Sequence, residues 1–328
     1  MLSRNYLFNI TIFILLASLW GLSFIFLRLA SSHFDVISLA NGRIFFACIF
    51  LLPFFLFSRI PSQIFFLFGL GLLNSALPFA LTSFSAMHLP ASYLATINSL
   101  VPLITVCARR AFFGTIPTKK TGLAVLIGTL GVVLVVGLGP LTFSEEIFIS
   151  CLASIGAAIC YSLSGIFVIH FFKNESLIAL SFMSLISAFI ILTPINYFTL
   201  DDFPEFPLEG LYSLAILGVF CTGLAYLLYF QVLKFFGPTA SSSVTYSVPM
   251  FGTIWGVLFL GEVITWQIGI GCAVILYSEY CNFSGGKSSM KNSFNQAWAN
   301  RLNKKIQGHI NTDLDGDGHN EALAISEA

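Results

Sequence analysis

Few residues in this chain have side chains suited to chemistry, and most of those sit inside long apolar runs. Arg43 stands in Asn-Gly-Arg-Ile-Phe-Phe-Ala with apolar sequence on its C-terminal side. A guanidinium so placed either satisfies backbone carbonyls or Asp35 as a structural partner, or acts as a gate or counter-charge for a carboxylate-bearing solute. Asn98 and Ser99 form a second polar point, and Thr245 and Tyr246 a third; a proline follows each within three or four residues, Pro102 and Pro249. Proline removes a backbone hydrogen bond and kinks a helix, freeing a carbonyl near Asn98 or Thr245. A kink beside polar side chains suits either solute binding or hydrogen bonding between helices. Trp20, Phe79, Tyr161, Tyr226 and Tyr246 offer an aromatic wall, although 36 phenylalanines make aromatic content alone uninformative. The buried Tyr and Trp positions tell more, because their polar tips require partners.

Catalytic constellations are not expected. The central runs hold no paired acids or histidines, and His88 and His170 lie at the ends of runs. Glu262 and Glu279 also sit at ends, as interfacial caps or proton-linked carboxylates. The tail carries Asp313-Leu-Asp315-Gly-Asp317-Gly-His-Asn-Glu321, oxygen ligands at the spacing of a calcium loop with a glycine for the sharp turn. Ala324 occupies the position where an EF-hand has its bidentate glutamate. The readings are a weak calcium site at Asp313, Asp315, Asp317 and Glu321, or a disordered acidic tail. No other cofactor is expected.

The elements that hold these residues are membrane spans. Of 328 residues, 57% are hydrophobic and 9% charged, against about 25% charged in soluble domains. Ten apolar blocks follow one another, at about 7–29, 37–57, 63–86, 91–113, 121–139, 147–171, 176–198, 208–232, 239–260 and 264–282. Most exceed the roughly 20 residues that cross a bilayer core. Continuous runs exclude a β-barrel, whose strands are short and alternating. The first block is too long for a secretory signal and lacks a small-residue cleavage site after Trp20-Gly21. Seven cysteines lie scattered among the apolar blocks without metal-ligand spacing, which indicates core packing.

A net charge of zero conceals a strong polarisation. With the N-terminus inside, Arg4, Arg59, Arg109, Arg110, Lys119, Lys120, Lys173, Lys234 and the tail's five basic residues all fall on the cytoplasmic side. Only Arg28 and Arg43 remain. The opposite loops carry Asp35, Glu145, Glu146, Asp201, Asp202, Glu205 and Glu209. The positive-inside rule therefore places both termini in the cytoplasm. Lipid is the surrounding partner, and nothing in the charge pattern calls for nucleic acid.

Two stretches share a pattern at a constant separation of 147 residues: Pro102 with Pro249, Gly114 with Gly261, Thr118 with Thr265. Ala17, Leu22, Ser23, Ile25 and Phe26 match Ala158, Leu163, Ser164, Ile166 and Phe167 at a separation of 141. The chain thus reads as two units, 1–144 and 145–282, followed by a polar tail, 283–328. A unit of five crossings ends opposite its start, so the second must enter inverted. The expected fold is an all-α polytopic membrane protein of ten transmembrane helices in two inverted five-helix repeats. Such halves can open to either face in turn, which is what a carrier requires.

The sequence resembles the EamA-type members of the drug/metabolite transporter superfamily over nearly all of residues 8–280. Trp20-Gly21, Arg43 within its Asn-Gly-Arg-Ile-Phe-Phe-Ala stretch, and Tyr246-Ser-Val-Pro249 running on to Gly261-Glu262 carry the resemblance. It implies a central cavity between ten helices, and transport of small organic solutes such as amino acids, organic ions or drugs. Gly114-Thr115 departs from the family's frequent Gly-Glu, and Arg109 and Arg110 replace apolar residues. Those arginines lie about one turn from the helix end, where they anchor at the interface or form a vestibule for anionic solutes. A nucleotide-sugar or sugar-phosphate exchanger of the same superfamily is the alternative within transport, and a membrane-anchored calcium-responsive sensor the alternative outside it. The lack of a long extra domain is compatible with a bacterial inner membrane.

Overall fold

The structure is a computed structural model, and it describes residues 4–114, 119–137, 144–172, 175–199, 207–236, 244–263, 266–267 and 269–278. The expected calcium ligands Asp313, Asp315, Asp317 and Glu321 lie outside the described residues. Every described element is helical: α1 (Arg4–Ala30), α2 (Val36–Phe55), α3 (Ile64–Gly71), α4 (Leu77–His88), α5 (Ala91–Asn98), α6 (Val101–Phe113), α7 (Lys119–Gly137), α8 (Glu145–Phe171), α9 (Leu177–Thr199), α10 (Leu208–Gly218), α11 (Ala225–Phe236), α12 (Val244–Leu260) and α13 (Gly269–Ser278). Two π-helical turns, Leu72–Ala76 and Val219–Leu224, join α3 to α4 and α10 to α11.

Seven stretches are long and apolar enough to cross a bilayer. Three more, Gly122–Gly131, Ser247–Leu260 and Gly269–Ser278, are apolar but shorter, where the sequence suggested further full spans. Large apolar side chains cover the outside, with Phe57 at 94% exposure and Phe65 at 85%. Water would not tolerate that surface, whereas hydrocarbon accepts it. The protein is therefore a multi-pass membrane protein.

In lipid, helices associate by close packing of small residues and not by expelling water. Gly71, at the end of α3, lies against α9: an added Cβ would meet Ser187 Cβ at 2.6 Å and the Ser184 carbonyl at 2.8 Å. Gly218, at the end of α10, lies against α2: an added Cβ would meet Phe46 Cβ at 2.5 Å and the Arg43 carbonyl at 2.7 Å. The two glycines are 147 residues apart, and their partners (Arg43 with Ser184, Phe46 with Ser187) are 141 apart. The same contact is thus made twice, with the halves exchanged. A Cβ added to Gly131 would meet the Gly271 carbonyl at 2.9 Å, and Ser278 in turn bonds the Ala124 carbonyl. This pair exchanges in the same way at a separation of 147.

The fourth run departs from expectation. It is not a kinked helix but two helices, α5 and α6, parted by a turn at Ser99-Leu100. Pro102 cannot donate to the Asn98 carbonyl. The chain tightens instead, Ser99 N bonding the Thr96 carbonyl (3.1 Å) and Leu100 N that of Ile97 (3.0 Å), while the Ser99 hydroxyl also turns back on Thr96 (2.6 Å). Pro249 behaves differently: α12 runs through it without a break. Gly114 and Gly261 both adopt φ +65°, ending α6 and α12 alike in the left-handed conformation that glycine alone takes easily.

Candidate functional site

Arg43 comes from α2, on the face that also buries Ala40, Ile44, Ala47 and Leu51. Its side chain is 9% exposed. Nε donates to Thr222 Oγ1 at 2.9 Å, and the guanidinium carbon lies 4.0 Å from the centre of the Phe79 ring. Thr222 belongs to the π-turn after α10. Its hydroxyl donates to the Leu217 carbonyl (2.9 Å), five residues back, which is the spacing a π-turn leaves open. The threonine is therefore oriented to accept from Arg43.

Asn74, in the other π-turn, is the centre of a second network. Its amide nitrogen lies 3.3 Å from the Tyr226 hydroxyl, 3.4 Å from Ser184 Oγ and 3.5 Å from Ser75 Oγ. Two protons spread over three acceptors at such lengths make loose bonds, open to rearrangement. Asn74 Oδ1 accepts from Ser164 at 3.2 Å, a proton Ser164 shares with the Tyr161 carbonyl at 2.9 Å. The two networks adjoin one another, because Arg43 lies on the Phe79 ring and Asn74 reaches Tyr226. Phe79, Tyr161 and Tyr226 all pack on one cluster formed by α2, α4, α8, α9 and α11.

The electrostatics of Arg43 are incomplete. Removing a guanidinium from water costs several kcal/mol. A bond to a neutral hydroxyl returns about 1.5–3 kcal/mol, and an aromatic face about 2 kcal/mol when desolvated. No carboxylate pairs with it among the described residues; Asp35, its expected structural partner, instead caps α2 by accepting from Ile37 N and Ser38 N. The second arginine of the first half, Arg28, is committed to the Ala86 and Met87 carbonyls.

Four of the residues singled out in the sequence are thus brought together: Arg43, Phe79, Tyr161 and Tyr226. Trp20 is not among them; it packs on Tyr229, ring centres 5.7 Å apart. Asn98 and Ser99 mark the α5–α6 break, facing α8, where Ser162 Oγ bonds the Val101 carbonyl at 2.9 Å. Thr245 lies in the first turn of α12, and the Tyr246 side chain lies outside the described residues. Glu262 accepts from Ala91 N (2.8 Å) and Ser92 N (3.3 Å), capping α5 from the other half of the chain. Arg109 and Arg110 are exposed at the end of α6, which suits interfacial anchoring and a vestibule alike.

Asn74, Ser184 and Thr222 were not anticipated. Asn74 did carry a signal, since Pro78 follows it by four residues as Pro102 follows Asn98. The missing N–H of Pro78 leaves the Asn74 carbonyl without its helical partner, and the chain accommodates this with the π-turn.

The same arrangement of helices occurs elsewhere. A solved crystal structure matches with a TM-score of 0.63 at 15% identity, covering 85% of this chain and 96% of its own, a likeness of fold. Protein PecM of Dickeya dadantii (strain 3937) is 26% identical over 234 residues, which are 67% of this chain and 76% of that protein. The EamA-like transporter family matches twice, over residues 7–137 and again over 148–283. A multi-pass helical chain that matches the family in both halves belongs to it: this protein is a member of the EamA-like transporter family, within the drug/metabolite transporter superfamily.

Proposed function

We propose that the protein is a secondary carrier that moves a small organic solute by alternating access. In this reading it comprises ten spans in two inverted units, 1–144 and 145–282, in a bacterial inner membrane with both termini cytoplasmic. The observation that carries the reading is the exchange of polar contacts between halves. Arg43 of the first unit bonds Thr222 of the second, while Asn74 of the first reaches Ser184 and Tyr226 of the second. Polar groups spanning a repeat interface inside lipid are expensive unless they serve a passage. The exchanged Gly71 and Gly218 contacts support two interchangeable arrangements of the halves.

The solute site in this reading centres on Arg43, Asn74, Phe79, Tyr161 and Tyr226. Trp20, Asn98, Ser99 and Thr245 line the route on either side in this reading, Tyr246 of α12 belongs to the same proposed set, and the Ser99-Leu100 break and Pro249 are its points of flexure. A sugar-phosphate or nucleotide-sugar exchanger would need several cations at the site, and Arg43 is the one guanidinium there among the described residues.

Counterflow into proteoliposomes tests the proposal, using a mixed panel of organic acids, amino acids, neutral metabolites and organic cations, with and without a pH gradient. Saturable flux that falls in Thr222→Val and Asn74→Ala is expected. Flux of no solute, from protein shown to be folded and inserted, overturns it. Truncation after Gly285 should leave flux unchanged; loss of a calcium response that the full-length protein shows would favour a sensor role for the tail.

A further inference from the structure

The guanidinium group of arginine is a cation with five N–H donors. Arg43 is nine-tenths buried, in the middle of a helix, and only its Nε has a hydrogen-bond acceptor among the described residues. The two Nη arms are left over. These arms are the part of a guanidinium that forks onto a carboxylate. The Phe79 ring lies against the guanidinium, and Tyr161 and Tyr226, apolar bodies with hydroxyl tips, pack on the same side-chain cluster as Phe79. The loose amide of Asn74 lies beyond Tyr226.

We infer that the transported solute is a small organic monoanion whose carboxylate docks on the Nη arms of Arg43, with its apolar body against Phe79, Tyr161 and Tyr226. The inference rests on the site proposed above and adds the charge of its occupant. Three physical arguments fix that charge. A buried cation lacking an acidic partner is completed by an anion, so binding lowers the electrostatic penalty instead of adding to it. An organic cation brought to the same place meets like charge in a medium of low polarity, where repulsion is strong. A dianion such as a phosphate monoester brings a second charge that no second cation meets among the described residues, where Arg28 is occupied by carbonyls and Arg109 and Arg110 lie exposed at the end of α6.

The test uses four probes of similar shape on the purified full-length protein: phenylacetate, phenylacetamide, phenethylammonium, and benzylphosphonate at a pH where it is a dianion. The unfolding midpoint is followed as each is titrated. Phenylacetate is expected to raise the midpoint saturably, with at least tenfold lower half-saturation than the other three. Arg43→Gln should weaken the phenylacetate response at least tenfold, and Arg43→Lys, which keeps the charge but loses the fork, should retain part of it. The lysine variant keeps the test decisive if the glutamine variant does not fold. The inference is overturned if the amide matches the acid, if the cation or dianion binds more tightly, if Arg43→Gln responds like wild type, or if phenylacetate gives no shift. Flux of other solutes that persists in any of these cases leaves the carrier reading standing. An Arg43-dependent phenylacetate shift in protein that moves no solute supports the anion site and rejects the carrier.

Discussion

The two π-turns are the most instructive pair of regions in the molecule. Each follows a glycine pressed onto a helix of the other half, Gly71 on α9 and Gly218 on α2, and each opens the helix at the same place in its unit. Their chemistry has diverged. The turn at 72–76 presents Asn74 to Ser184, a neutral amide to a neutral hydroxyl. The turn at 219–224 presents Thr222 to Arg43, so the same backbone geometry now holds a charge. Duplication conserved the scaffold while the side chains on it differ: Arg43 in α2 stands against Ser184 in α9, and Asn74 in the first turn against Cys221 in the second. The asymmetry teaches that backbone opening and charge are separable: the first is common to both halves, the second belongs to one.

The sharpest way to break this comparison is to neutralise both partners in turn. Arg43→Ala removes a charged hydrogen bond worth about 1.5–3 kcal/mol, which predicts a loss of roughly ten- to hundredfold in transport. Ser184→Ala removes a long neutral contact, worth about 0.5 kcal/mol at the low end of the neutral range, and should cost about twofold. Initial rates in proteoliposomes check both. Equal losses would mean that the charge adds nothing to the second centre.

Stability offers the complementary measurement, where the two regions should agree. Gly71→Ala and Gly218→Ala each force a Cβ to about 2.6 or 2.5 Å of atoms on the facing helix. Overpacking of this kind typically destabilises by about 1–3 kcal/mol. Gly165→Ala, with nothing within 4 Å of the added atom, serves as the control and should be neutral or slightly stabilising. Thermal unfolding in detergent reads all three. A large difference between Gly71 and Gly218 would show that the shared scaffold is shared in sequence only.

How much of this could be read without coordinates divides along physical lines. Arg43, Phe79, Tyr161 and Tyr226 were legible because a polar or amphipathic side chain in an apolar run must find a partner inside the bundle. Their convergence depended on the repeat, since Phe79 and Tyr226 are themselves 147 residues apart. Asn74 went unremarked beside the same proline spacing that drew notice to Asn98. The π-turns were invisible because one extra residue in a helical turn leaves no trace in hydrophobic pattern; tertiary contacts at Gly71 and Gly218 select it. Ser99-Leu100 was expected as a bend and is a full break, because Pro102 falls in the first turn of α6, where a helix begins easily. Trp20 shares its aromatic type with Phe79, Tyr161 and Tyr226, but it packs on Tyr229 outside their cluster, a matter of packing that type does not encode.

Glu262 provides a smaller test. Its carboxylate caps α5 across the two halves, an interaction worth about 1 kcal/mol on the usual scale for such caps. Glu262→Gln keeps an acceptor oxygen but loses the charge that faces the positive end of the helix. A fall in stability of about 0.5–1 kcal/mol is expected, with transport rates within about twofold of wild type. Loss of transport with unchanged stability would instead make Glu262 a proton-linked group and couple flux to the pH gradient.

The smallest effect should come from Pro78→Ala, and it separates two causes of the π-turn. Pro78 denies a bond to the Asn74 carbonyl, yet the equivalent position in the second half is Ala225 and the π-turn forms there all the same. Proline therefore accommodates the opening without being required for it. The variant restores an N–H while the glycine contact and the Asn74 network continue to hold the turn open. Stability should change by no more than about 0.5 kcal/mol, and transport by less than about twofold. Hydrogen exchange across residues 72–78 should stay as fast as in wild type. Strong new protection there, together with lost transport, would mean that proline created the turn in the first half, and that the two halves reached one backbone shape by different routes.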